Sequence, residues 1–239
     1  MDRVRTYSTG PATADRTLAV VNAFMRRVYN WMAGGLALSA VVAWVVMSTP
    51  SILGMFITPQ GPTMLFWGAI IAELGMVFAI SAGIKRFAVG TAAGLFLIYS
   101  GLNGITLAPL LLIYTGASVF KAFAITAGTF AVTSIWASTT KKDLSGWGSF
   151  LFMGLIGIII ASVVNMFLGS AMIDWIVSLV GVGIFVGLTA YDTQMLRTMV
   201  LEAANEVTVA KMAIFGALKL YLDFINLFIL LLRFFGERR

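Results

Sequence analysis

The chain contains no cysteine and no histidine. Without cysteine it can form neither a disulfide framework nor a thiolate metal site. Without histidine it has no imidazole to change charge near neutral pH, so proton sensing in that range would fall to carboxylates in unusual surroundings. Charge of either sign is scarce. Only 11% of the 239 residues are Asp, Glu, Lys or Arg, against 60% hydrophobic, which is too apolar for a domain that must present a wetted surface. Nor is there a metal-ligand cluster, a nucleophile with its base or a phosphate-binding glycine loop, so neither an enzyme nor a bound cofactor is expected. Intramembrane aspartyl proteases use two aspartates on neighbouring helices, but in a Gly-Asp setting; here Asp192 follows Tyr191 and Asp223 follows Leu222. The net charge of +6 lies mostly at the ends of apolar segments rather than in a stripe with interleaved aromatics, which argues against nucleic acid as a partner.

What the chain does have is long apolar runs. Seven stretches stand out: Val28 to Met47, Met64 to Ile84, Phe87 to Tyr114, Ala122 to Ala137, Gly148 to Leu168, Trp175 to Tyr191 and Met212 to Leu232. About 20 helical residues cross roughly 30 Å of hydrocarbon, and the absence of period-two alternation excludes a β-barrel. The expectation is an all-α, multi-pass membrane protein: a flexible cytoplasmic tail over residues 1–25, then one seven-helix domain over 26–239. Five arginines, ending with Arg26-Arg27, precede the first span, while Lys85-Arg86 and Lys141-Lys142 mark alternate loops. By the positive-inside rule this places the N-terminus in the cytoplasm. Arg233, Arg238 and Arg239 disagree, because seven crossings put them outside; a last segment that enters without crossing would remove the conflict.

The third stretch includes Tyr99-Ser-Gly-Leu-Asn-Gly-Ile-Thr-Leu-Ala-Pro109. Its glycines and proline predict either a kinked, tilted helix or a broken one with Asn103 lining a cavity. Small residues at helix-contact spacing, Gly90 with Gly94 and Gly183 with Gly187, are packing signals.

Ionisable residues within the spans are the candidates for function. An ionised carboxylate near the bilayer centre costs roughly 2.5 to 3.5 kcal/mol, so each needs a reason to be there. Asp192 and Asp223 lie on adjoining segments and suggest one shared polar site, in which repulsion and desolvation favour holding a proton between them near neutral pH. Two carboxylates also attract a hard cation such as Ca²⁺, weakly enough for it to leave again. Lys219 is one turn from Asp223 and either neutralises it locally or takes part in the site. Asn226 extends the same stripe, Glu73 in mid-span needs a partner or a proton, and Asp192 needs a partner from another helix. Lys121 and Asp174, at segment ends, are read as reaching the interface.

These residues carry a resemblance. Ala190-Tyr-Asp-Thr-Gln194, Leu220-Tyr-Leu-Asp-Phe-Ile-Asn-Leu-Phe228, the Tyr99 to Pro109 segment and Ile71-Ala-Glu-Leu-Gly75 together resemble the Bax inhibitor-1 family, in its bacterial YccA-like branch, over nearly the whole chain. The resemblance implies a seven-helix bundle with the last helix central, in the bacterial inner membrane. It implies a pH-sensitive calcium leak in which Asp192 and Asp223 act as proton sensor and latch, with a basic residue near the end of the second helix, Lys85 or Arg86, holding the closed state. Lys219 beside Asp223 would compete for the carboxylate. The alternative function is regulation of a membrane-anchored protease or another membrane partner. A third reading is a proton-coupled transporter built on an interrupted third span.

Overall fold

In a computed structural model the fold is described for residues 11–239, with side chains from residue 15 onward. Eight α-helices account for most of it: α1 (Pro11–Ser48), the short α2 (Pro50–Phe56), α3 (Met64–Gly83), α4 (Val89–Ile113), α5 (Gly116–Thr139), α6 (Trp147–Leu168), α7 (Ala171–Met199) and α8 (Glu206–Phe235). All but α2 are long and apolar enough to cross a membrane. The protein is therefore an all-α membrane bundle, with a two-residue-per-strand hairpin (Ile57–Thr58 with Gly61–Pro62) between α2 and α3.

Helix starts follow local chemistry. Thr63, Thr115, Ser170 and Asn205 each accept a backbone N–H of the first turn of α3, α5, α7 and α8, filling donors that the helix itself cannot satisfy. Gly169 closes α6 at φ 63°, a left-handed conformation that suits glycine. One sequence expectation changes in detail: the tail expected over residues 1–25 is helical from Pro11, as part of α1; residues 1–10 lie outside the described residues. Of the two forms expected of the third span, the unbroken one is found, with Pro109 inside the helix.

The last helix is the axis of the bundle. Of its most apolar stretch 72% is buried, against 11% for α3 and for α6, and it packs on α1, α4, α5 and α7. Tyr221, Leu218, Leu220, Leu227 and Leu232 are almost fully enclosed. At 30 residues it is about 45 Å long, enough to cross completely. It starts beside α1, where Arg27 pairs with Glu206 at 3.0 Å. It ends at the α4–α5 junction, where Tyr114 bridges Arg238. Its two ends thus lie on opposite faces of the bundle, and Arg233, Arg238 and Arg239 belong to the face away from Arg27.

The closest backbone approach is not at the glycine pairs expected from spacing. Gly90, Gly94 and Gly183 have open space where a side chain would stand, and of the four only Gly187 is close-packed, a methyl there lying 2.6 Å from the Leu151 side chain. At the α1–α4 crossing, by contrast, a methyl on Gly104 would lie 2.5 Å from the Ser39 carbonyl oxygen, and one on Gly35 2.6 Å from the Phe96 ring. Gly104 lets α4 touch the α1 backbone, and Gly35 gives α1 room for the Phe96 ring of α4.

Candidate functional site

Asp192 stands on the buried side of α7 and Asp223 on α8, with 3% and 4% of each residue exposed. The helices pack along their length, so both acids look into one interior. Lys219 extends from α8 to α7 and donates to both carboxylate oxygens of Asp192, Nζ to Oδ1 at 3.0 Å and to Oδ2 at 3.1 Å. The partner that Asp192 required from another helix is this lysine. The local alternative, Lys219 neutralising Asp223 one turn away, is not what forms: the lysine crosses to the neighbouring helix instead. Asp223 lies within electrostatic reach of both Asp192 and Lys219. Its Oδ2 is buried without a hydrogen-bond partner among the described residues. One cation therefore serves two buried acids.

Lys85 and Arg86, at the end of α3, form no ion pair among the described residues; Lys85 instead offers its carbonyl oxygen to Lys211 at 3.2 Å. The basic residue on Asp192 is Lys219. Asn226 turns back on its own helix, donating to the Leu222 carbonyl at 2.7 Å. Asp174 reaches Arg233 at 3.6 Å, at the bundle end. Among the described residues no group of three or more His, Cys, Asp or Glu side chains is placed to hold a metal ion.

Glu73 and Asn103 belong to a second network on the other side of α8. Thr106 donates to Glu73 Oε1 at 2.7 Å, and Asn103 Nδ2 approaches Oε2 at 3.3 Å. Asn103 Oδ1 meets the Tyr221 hydroxyl at 2.9 Å, and that hydroxyl meets Ser39 Oγ at 2.7 Å. Tyr221 and Asp223 are two residues apart, about 200° around a helix, so one helix serves both networks without joining them.

Ser39, Thr106, Tyr221 and Gln194 escape the sequence reading as site residues, although the last three lie in the quoted motifs. Gln194 accepts the Leu144 N–H at 2.8 Å and donates to the Lys142 carbonyl at 2.9 Å, so it pins the α5–α6 loop to α7 two residues beyond Asp192.

Comparison with other proteins agrees with the fold and the motifs. The family described as "Inhibitor of apoptosis-promoting Bax1" matches residues 21–239. The inner membrane protein YbhL of Escherichia coli is 45% identical over 223 residues, 92% of this chain and 94% of its own length. A Borreliella burgdorferi protein is 44% identical over 224 residues, covering 93% of this chain and 95% of its own. A Streptococcus pyogenes membrane protein is 40% identical over 217, covering 91% and 93%. With the family matched across both aspartate-bearing helices and the all-α bundle around them, the chain belongs to the Bax inhibitor-1 family of membrane proteins.

Proposed function

We propose that this protein is a passive, proton-gated leak for cations, calcium above all, with Asp192, Lys219 and Asp223 as its gate. The observation that carries the reading is the imbalance of charge: two buried carboxylates face one lysine, and Asp223 Oδ2 has no donor among the described residues. With all three groups ionised the cluster holds one uncompensated negative charge. A single bound proton makes it neutral, the form suited to a closed, water-poor bundle. Release of that proton leaves a carboxylate that only water or a cation can satisfy, so the α7–α8 region hydrates and offers oxygen ligands to a hard ion. Two carboxylates are too few for tight capture, and weak binding suits passage. The leak then rises with pH through the titration of the cluster.

The orientation proposed with it is a cytoplasmic N-terminus. Arg26, Arg27, Lys85, Arg86, Lys141, Lys142, Arg197 and Lys211 gather at the end where α1 meets the start of α8, and fewer basic residues sit at the other. In a bacterial inner membrane Asp192 then lies toward the cytoplasmic side.

The test is calcium flux into proteoliposomes across pH, for the wild type, Asp192→Asn and Asp223→Asn. Flux that varies with pH in the wild type and loses that dependence in Asp223→Asn supports the gate. A pH profile unchanged in both variants refutes it. No flux at any pH removes the leak and leaves the regulatory role, with a membrane protein as partner.

A further inference from the structure

The second network has more close oxygen contacts than hydrogens to fill them. Tyr221 and Ser39 bring one hydroxyl hydrogen each. Four contacts compete for them: Tyr221 with Asn103 Oδ1 at 2.9 Å, Tyr221 with Ser39 at 2.7 Å, and Ser39 with the carbonyls of Ser100 at 2.7 Å and Gly35 at 2.9 Å. If Tyr221 gives its hydrogen to Asn103, Ser39 must serve either Tyr221 or the carbonyls. Either choice leaves oxygens pressed together at 2.7 Å with no hydrogen between them, which is repulsive in a buried site.

Turning the Asn103 amide over fills both 2.7 Å contacts and leaves only the longer Ser39–Gly35 contact, at 2.9 Å, without a hydrogen of its own, and side-chain amide orientation is fixed by such networks. Asn103 Nδ2 then donates to Tyr221, Tyr221 to Ser39, and Ser39 to the Ser100 carbonyl. Asn103 Oδ1 now faces Glu73 Oε2, two acceptors, unless Glu73 carries a proton and donates it. Thr106 still donates to Oε1. We infer that Glu73 is a proton-binding site separate from the aspartate pair, held as the neutral acid at neutral pH by a directed chain of hydrogen bonds through Asn103, Tyr221 and Ser39 to the Ser100 carbonyl.

A second observation agrees. Glu73 is only half-buried in mid-span of α3, a helix whose outer face, about 100 to 160° around from it, carries Ile71, Leu74 and Phe78, 69%, 57% and 73% exposed, as a lipid-facing surface. What protein leaves uncovered there meets hydrocarbon, where an ionised carboxylate is disfavoured. The titratable groups facing Glu73 are Tyr99 from α4 and Tyr221 from α8; α1 contributes Ser39, and no Lys or Arg pairs with Glu73 among the described residues.

The test is infrared spectroscopy of the full chain in liposomes, titrated from acid through neutral to alkaline pH. At neutral pH a C=O stretch of a hydrogen-bonded carboxylic acid is expected, shifted by carbon-13 labelling of glutamate carboxyls and absent in Glu73→Gln. Labelling needs no mutation, so it decides the matter even if that variant misfolds, and the other glutamates, Glu202, Glu206 and Glu237, are exposed. In Tyr221→Phe the Asn103 amide is free to turn its Nδ2 to the carboxylate, and the acid band disappears at lower pH than in the wild type. No label-sensitive acid band at neutral pH, a band that persists in Glu73→Gln, or an unchanged titration in Tyr221→Phe would each overturn the proposal.

Discussion

Replacing Lys219 by Met puts a pH slope on the stability of this protein, and its size follows from counting protons. In the native cluster Lys219 balances Asp192 across two contacts of 3.0 and 3.1 Å. Without the ammonium, Asp192 remains almost wholly enclosed, and the folded state must either hold a bare carboxylate or bind one more proton than the wild type. The unfolded chain gains no such proton near neutral pH, where an aspartate in water, titrating near 4, is ionised. The folded variant thus binds about one more proton than its unfolded form at this site, and by linkage its stability falls as pH rises. The slope is about 1.36 kcal/mol per pH unit, or about 2.7 kcal/mol between about pH 5 and pH 7. Lys219 is one-third exposed, so water entering beside Met at this position reduces the loss below that ceiling. For a chain of this size each kcal/mol is worth about 2 to 4 °C, so the Tm gap between variant and wild type should widen by about 4 to 10 °C over that interval. Thermal unfolding in detergent at the two pH values measures it. A gap that stays constant, or narrows as pH rises, would show that Asp192 does not depend on Lys219.

Asp223→Asn should make calcium flux independent of pH in the range where the wild type responds, because it removes the uncompensated charge while leaving the Lys219–Asp192 pair; a retained response in the liposome assay counts against it. Gly104→Ala should destabilise the fold by about 1 to 3 kcal/mol, since its methyl would meet the Ser39 carbonyl oxygen at 2.5 Å and backbone cannot step aside cheaply; a melting curve matching the wild type would place the α1–α4 contact further apart. Gln194→Leu should free the α5–α6 loop, losing two hydrogen bonds worth about 1 kcal/mol each, and speed tryptic cleavage at Lys141 and Lys142; unchanged cleavage would mean the loop is held by other contacts.

The spans were legible because lipid imposes one rule on every residue of a crossing helix, and that rule leaves a long apolar run. The partners of the buried acids were legible only by type. That Asp192 must find a cation on another helix follows from the cost of burying it alone, but the choice of Lys219 over Lys85 or Arg86 depends on how α7 and α8 are rotated, which composition does not encode. The same holds for Gly104 and Gly35. Gly90 and Gly94 have the ideal spacing and face open space, while the glycines that matter sit on different helices and share no pattern within one segment. Asn103 was marked by its polarity; Tyr221 and Ser39 were not, since a tyrosine and a serine among apolar neighbours are ordinary until their hydroxyls are seen 2.7 Å apart.

The end of α8 fixes what kind of motion the bundle allows. Beyond Phe235 the chain is stitched into the α4–α5 junction: the Thr115 N–H donates to the Glu237 carbonyl at 3.1 Å, the Arg239 N–H to the Ile113 carbonyl at 2.8 Å, and the Glu237 N–H to Ser118 Oγ at 3.0 Å. A helix fastened at one end and wedged along most of its length cannot work as a piston. It is built as an axle, so the gate and the proton site proposed above would act on the outside of the molecule most readily through α3 and α6, the helices least enclosed around it.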